Sequence, residues 1–206
     1  WTQLGSDIDG EAAWDNSGWS VSLSSDGTIV AIGARWNDGN GNQSGHVRVY
    51  EWNETGGPIT NTTQTHKLVA SDASAYHFFG KSVAIDGNYA IVGAYGDVHA
   101  GSASGSTYIY NVTTGAELHK IVASDAASLD NFGRSVAISG NYLIVGAHQN
   151  DDNGDDSGSA YIFSFNDTTA TQLHKIVASD AAAGDNFGTS VAISGTKCIV
   201  GSKGDD

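Results

Sequence analysis

The 206 residues carry 23 acidic against 9 basic side chains, a formal charge of −14 that repels nucleic acid and anionic membranes and draws cations. Hydrophobic residues make up 39 % of the chain, yet no apolar run nears the roughly 18 residues of a bilayer crossing, so membrane insertion is not expected. With 27 Gly, one Pro and apolar residues drawn mainly from Val, Ile, Ala, Tyr and Phe, the composition favours short strands and tight turns over helices.

The chain begins at Trp1 without a Met and stops at Asp206 inside a repeated unit, so it reads as a mature or partial segment. Residues 1–17 resemble an outer strand and linker, Gln3-Leu4 matching Gln172-Leu173 further on. An apolar strand then opens at Ser17-Gly18-Trp19-Ser20-Val21-Ser22-Leu23. Close copies of it follow at Phe79 to Ile85, Phe132 to Ile138 and Phe187 to Ile193, each starting Phe-Gly, with 53 and 55 residues separating Gly80, Gly133 and Gly188. Each copy runs into a tight-turn signal (Asp26-Gly27, Asp86-Gly87-Asn88, Ser139-Gly140-Asn141, Ser194-Gly195) and a second apolar strand ending near Ala34, Ala94, Ala147 or Ser202. A third strand follows at Gly45 to Tyr50, Gly105 to Tyr110 and Gly158 to Phe163; its period-two alternation suggests one buried face. The fourth is His66 to Val69, His119 to Val122 and His174 to Val177, after an insertion from Gly56 to Thr65 in the first unit. The first two strands are nearly continuously apolar and are expected nearest the centre with both faces covered.

Four antiparallel strands per unit of about fifty residues describe a β-propeller blade rather than a helical solenoid. The expected all-β propeller has three complete blades (18–74, 75–127 and 128–182), the outer strand of another at 1–17, and a partial blade at 183–206. The Phe-Gly opening the first strand and the Gly-Ala closing the second resemble the FG-GAP repeat of integrin α-subunit propellers and many secreted relatives. The resemblance departs in two places. The Pro of that family's Gly-Ala-Pro is replaced by Arg35, Tyr95, His148 and Lys203, and the turns between first and second strands are too short for the family's usual calcium loop. Because a propeller must hide its inner strands and edges, a longer protein is expected, with six to eight blades as the resemblance implies. The alternative is a four-blade ring closed with help from a neighbouring chain.

Connection geometry alone sorts the charges. The loops from second to third strands carry Asp38, Asp97, Asp151, Asp152, Asp155, Asp156, Asp205 and Asp206. The blade-to-blade loops bring Asp9, Glu11, Asp15, Asp72, Asp125, Asp130, Asp180 and Asp185 to the same end. Within that face Asn37-Asp38-Gly39-Asn40 aligns with Asn150-Asp151-Asp152-Asn153, and Asp155-Asp156 completes the second loop. Clustered Asp and Asn oxygens on a Gly-bent loop suit calcium, which needs six to eight oxygens. The candidate metal ligands are therefore Asp151, Asp152, Asn153, Asp155 and Asp156, with Asn37, Asp38 and Asn40 on the poorer loop. A solvated acidic turn is the competing reading. Asp125, Asp130, Asp180, Asp185 and Trp36 are the remaining ligand-face candidates, and Trp14, Trp19 and Trp36 offer indoles on which sugar rings stack. In Asp-Asn-Phe-Gly, Asp130 and Asp185 are read first as caps of turn amides, with the Phe packed between blades.

Asn53, Asn61, Asn111 and Asn166 head glycosylation sequons on the opposite turns, and Asn42 heads one on the acidic face. His66, His119 and His174 recur at one position and are read as structural, while the lone Cys198 is expected to be buried and inert. No nucleophile elbow, zinc spacing or phosphate loop appears, so the chain is expected not to be an enzyme. An extracellular binding, adhesion or matrix module is expected, showing a protein or glycan partner an acidic face, with assembly with other chains as a variant. The propeller of a polysaccharide-active enzyme or a lectin-like propeller is the alternative.

Overall fold

The computed structural model describes residue 3, residues 7–52 and residues 62–205. Among these residues it is built of strands and turns with no helix, so nothing described is a helix long and apolar enough to cross a membrane. β1 (Ser17–Leu23), β2 (Ile29–Ala34), β3 (His46–Trp52) and β4 (Thr62–Leu68) form the first four-stranded sheet in sequential order. β5 (Ser82–Asp86), β6 (Tyr89–Ala94), β7 (Ser106–Asn111) and β8 (Ala116–Ile121) form the second. β9 (Ser135–Ser139), β10 (Tyr142–Ala147), β11 (Ser159–Phe165) and β12 (Ala170–Ile176) form the third, and β13 (Ser190–Ser194) with β14 (Lys197–Gly201) the two-stranded fourth.

Every pairing between neighbouring strands of a sheet is antiparallel, as short connections demand. Links of two residues at Gly87-Asn88, Gly140-Asn141 and Gly195-Thr196 join inner to second strands, each Gly in the left-handed region that lets the chain reverse so tightly. A register shift recurs between β3 and β4, β7 and β8, and β11 and β12, always at the middle of the outer pair, and adds twist there. β1, β5, β9 and β13 pack one against the next, so the sheets fan out from a common inner edge as an open arc of a propeller. Of the expected outer strand within residues 1–17, residues 1, 2 and 4–6 lie outside the described residues.

The core sits between blades. One cluster joins Val47, Val49 and Leu68 of the first blade to Phe79, Val92, Tyr108 and Tyr110 of the second. The next joins Ile91, Ile109 and Ile121 of the second to Phe132, Leu143, Tyr161 and Phe163 of the third. The alternation in the third strands therefore assigns residues to two interfaces: Tyr108 and Tyr110 face one neighbouring blade and Ile109 the other. This corrects the expectation of one buried face, since β3 and β7 are buried along nearly their whole length. It also corrects the inner strands. β1 and β13 are at best half-buried, with Val21 and Leu23 exposed, because they lie at the two ends of the described arc and meet a neighbouring inner strand on one side only; Ile199 of β14 is exposed for the same reason. Cys198 is exposed rather than buried, since β14 has only β13 beside it.

The repeated glycines mark where blades touch. A Cβ at Gly93 would sit 2.0 Å from the carbonyl oxygen of Gly133 in the next blade, and one at Gly146 2.0 Å from that of Gly188. The same carbonyls accept hydrogen bonds from Ser82 Oγ and Ser135 Oγ at 2.8 Å. Gly133 N and Gly188 N in turn donate to Gly146 O and Gly201 O within their own blades. Phe-Gly and Gly-Ala are thus the two sides of one blade-to-blade joint.

Candidate functional site

The loops between second and third strands share a frame. Asp151 Oδ1 accepts from Asp156 N at 2.8 Å, as Asp38 Oδ1 accepts from Gln43 N at 2.8 Å. Asp156, Gln43 and Ala103 all take φ near 50° at that position. The frame turns the chain back toward Asp151, and Asp151, Asp155 and Asp156 each bring a carboxylate oxygen within 4.8 Å of the others. Gln149 Nε2 donates to Asp156 Oδ1 at 3.1 Å, and among the described residues no cation pairs with these three carboxylates. Three converging carboxylates on a loop are a donor set that fits a hard divalent cation.

The other acidic candidates are placed differently. Lys175 Nζ bonds Asp152, Asp125 at 2.6 Å and Asn150 Oδ1 at 3.1 Å, which takes Asp152 out of the carboxylate triad. Burial works to raise the Asp125 carboxyl, yet the hydrogen bond from Lys175 holds it below its ordinary value. In the second blade Lys120 Nζ bridges Asp72 at 2.5 Å and the buried Asp97 at 3.0 Å, and Tyr108 Oη donates to both carboxylates. In the first, Lys67 Nζ bonds Glu11 at 2.6 Å. The lysine after the repeated histidine thus folds over each blade's acidic loops, and its recurrence in the three copies was the sequence signal for this role. Asn37 is buried, its amide donating to Asp15 Oδ2 and accepting from Gly39 N. Asn40 and Asn153 each turn a backbone amide to a Ser hydroxyl.

Asp130 and Asp185 are buried and accept from Ala127 N at 2.8 Å and Ala182 N at 2.7 Å, the turn-capping geometry expected of them, as does Asp15 from Ala12 N at 3.2 Å. Burial raises the Asp130 carboxyl against the pull of those hydrogen bonds. The second blade has His77 at this position, 3.3 Å from Asp97, so the Asp–Asn pair of its neighbours is exchanged for a His–Asp pair. Asp180 is exposed and Trp36 half-buried. His66 Nε2 meets Thr113 O at 3.2 Å and His119 Nε2 meets Asn166 O at 2.7 Å, so these histidines tie each outer strand to the next blade's turn. Asn111 and Asn166 accept amides two and three residues on, and Asn166 also accepts the hydroxyls of Thr168 and Thr169. Asn42 donates to Tyr76 Oη at 2.7 Å, and Asn53 and Asn61 lie outside the described residues.

No curated protein matches the chain. The family model of the FG-GAP repeat does, over residues 7–50, 62–110, 116–163 and 170–206. The later matches begin on an outer strand and run into the inner strands of the following blade, so the sequence repeat straddles the joint that its Phe-Gly and Gly-Ala build. Such repeats make propeller-type binding or adhesion modules and are typical of extracellular proteins. By the extent of those matches and by the joints they encode, this chain belongs to the FG-GAP repeat family.

Proposed function

We propose that the chain is an extracellular binding or adhesion module that acts without catalysis, and that its acidic face meets a protein or glycan partner with the help of calcium. The observation that carries this reading is the convergence of Asp151, Asp155 and Asp156 within 4.8 Å, which pair with no cation among the described residues while Asp125 and Asp152 are paired with Lys175. Asp151 would stay in place without the ion, since its Oδ1 already bonds the loop backbone. Calcium bound there would be completed by water and by partner oxygens, which makes the metal a bridge as much as a staple. The blade-1 loop, with Asp38, Asn42 and Gln43 at the matching positions, has one carboxylate and is the weaker site. The repeated His66 and His119 serve the joints between blades.

Isothermal titration of calcium into the wild-type chain and into Asp151→Ala/Asp155→Ala tests the reading. One saturable site is expected in the wild type and none in the variant, whose blades should melt as the metal-free wild type does. Equal binding by both proteins would place calcium elsewhere, and no binding by either would leave the aspartates a solvated face.

A further inference from the structure

The acidic face surrounds a basic centre. Arg35, Tyr95, His148 and Lys203 occupy one position in the four copies, just past the second strand. Trp19, Lys81, Arg134 and Thr189 occupy another, just before or within the inner strand. Because the inner strands pack side by side, these two sets meet near the axis. The Arg35 guanidinium lies 3.6 Å from the Trp19 ring centre and 4.7 Å from that of Trp36, and Lys81 Nζ lies 4.3 Å from Trp19. Arg134 lies 5.4 Å over Tyr95, which stacks on Phe78 at 5.0 Å.

Four of the nine Lys and Arg residues of this acidic chain are gathered here. Elsewhere Lys67, Lys120 and Lys175 each hold a carboxylate, whereas among the described residues Arg35, Lys81, Arg134 and Lys203 form no ion pair. The carboxylate that borders the group is Asp156, which faces His148. Arg35 Nε and His148 Nδ1 are buried without hydrogen-bond partners. Burial, with Arg134 and Arg35 alongside, pushes the Lys81 ammonium down to about 8. Aromatic faces ease the crowding of cations but cannot neutralise it, because a ring carries no net charge. What the group lacks is an anion.

The size of that anion follows from the rim. Asp156 borders the group beside His148, and the chain as a whole carries a formal charge of −14, so a chain of repeated negative charge is repelled while a single charge reaches the cations at little cost. Trp19, on which Arg35 and Lys81 both lie, stays exposed and offers indole surface to an uncharged body. We propose that Arg35, Lys81 and Arg134 form a binding site for one oxyanionic group, a carboxylate or sulfate, borne by an otherwise neutral sugar. The site is separate from the calcium loop and does not depend on it.

The test is a titration of the full chain in calcium-free buffer at constant ionic strength, followed by tryptophan fluorescence. The probes are sodium sulfate, galacturonate, and galactose as the neutral control. Saturable responses to sulfate and galacturonate, with none to galactose, are expected. Lys81→Gln/Arg134→Gln should weaken both by about tenfold or more, as loss of charge-assisted bonds requires, with melting unchanged or raised because like charges have been removed. Should the double variant fail to fold, Lys81→Gln alone serves, with a smaller loss in the same direction. No saturable response to either anion, or equal responses in the variants, overturns the site. Sulfate binding without galacturonate overturns its assignment to a sugar.

Discussion

Replacing Gly93 by Ala tests whether the blade-to-blade joint is what the repeat encodes. The new Cβ would lie 2.0 Å from Gly133 O, 2.9 Å from Gly133 C and 2.3 Å from Ser82 Oγ. The hydroxyl can rotate away, but the carbonyl belongs to the next blade's backbone, so the two blades must part by about 1 Å to reach ordinary contact. Parting breaks the Ser82–Gly133 hydrogen bond, worth about 1 kcal/mol, and loosens the packing of Val92 and Phe132 on either side, an overpacking cost of roughly 1–3 kcal/mol. Alanine recovers some of this because it restricts the unfolded chain, by about 0.5 kcal/mol. The net loss is about 2.5 kcal/mol, which in a urea melt of a chain this size is a midpoint shift of about 1 M. Gly201→Ala supplies the control: its Cβ would meet Ser190 alone, at a hydroxyl that can turn, so a shift of no more than about 0.2 M is expected. Equal shifts in the two variants, or no shift in Gly93→Ala, would refute the joint as the reason for the glycine.

Lys120→Ala strands the buried Asp97 carboxylate, which keeps Tyr108, His77 and the His99 amide, and should cost about 2–3 kcal/mol in denaturant melts, against less than about 1 kcal/mol for Lys67→Ala, whose partner Glu11 is exposed. His46 is fully buried, and burial, with Lys67 nearby, lowers its imidazole to about 4 from an ordinary 6.5. Between those values the unfolded chain binds a proton that the folded chain does not. The stability from His46 is therefore complete above pH 6.5 and is lost as pH falls toward 4, by about 2 kcal/mol between pH 7 and 5. His46→Ser, which installs the residue found at Ser106 and Ser159, should flatten that part of the pH profile; an unchanged slope would contradict the argument.

The blades were legible because a turn dipeptide and a Phe-Gly recur at a fixed distance, and repetition converts weak local signals into a period. Which faces are buried was not legible in the same way. Tyr108, Ile109 and Tyr110 alternate as a one-faced strand would, yet both faces meet a neighbouring blade, and only the spatial stacking of sheets shows it. The misplacement of Cys198 has the same origin, since an apolar strand is buried only where something lies over it. At the candidate site the Asp151, Asp155 and Asp156 group was visible as clustered oxygens, but Asp152 was not separable from it without the reach of Lys175 across the sheet. The cations at Arg35, Lys81 and Arg134 are 46 and 53 residues apart in sequence and come together only when the inner strands line up around the axis.

The most direct test of the central claim is the melting temperature of the chain in millimolar calcium and in chelator, with Asp151→Ala/Asp155→Ala alongside. Calcium bound to the folded state at a hundred times its dissociation constant adds about 2.7 kcal/mol, a rise of roughly 5–10 °C for a protein this size. The account predicts that rise in the wild type and its loss in the variant. A wild-type curve indifferent to calcium, or a rise that survives the substitutions, would contradict it.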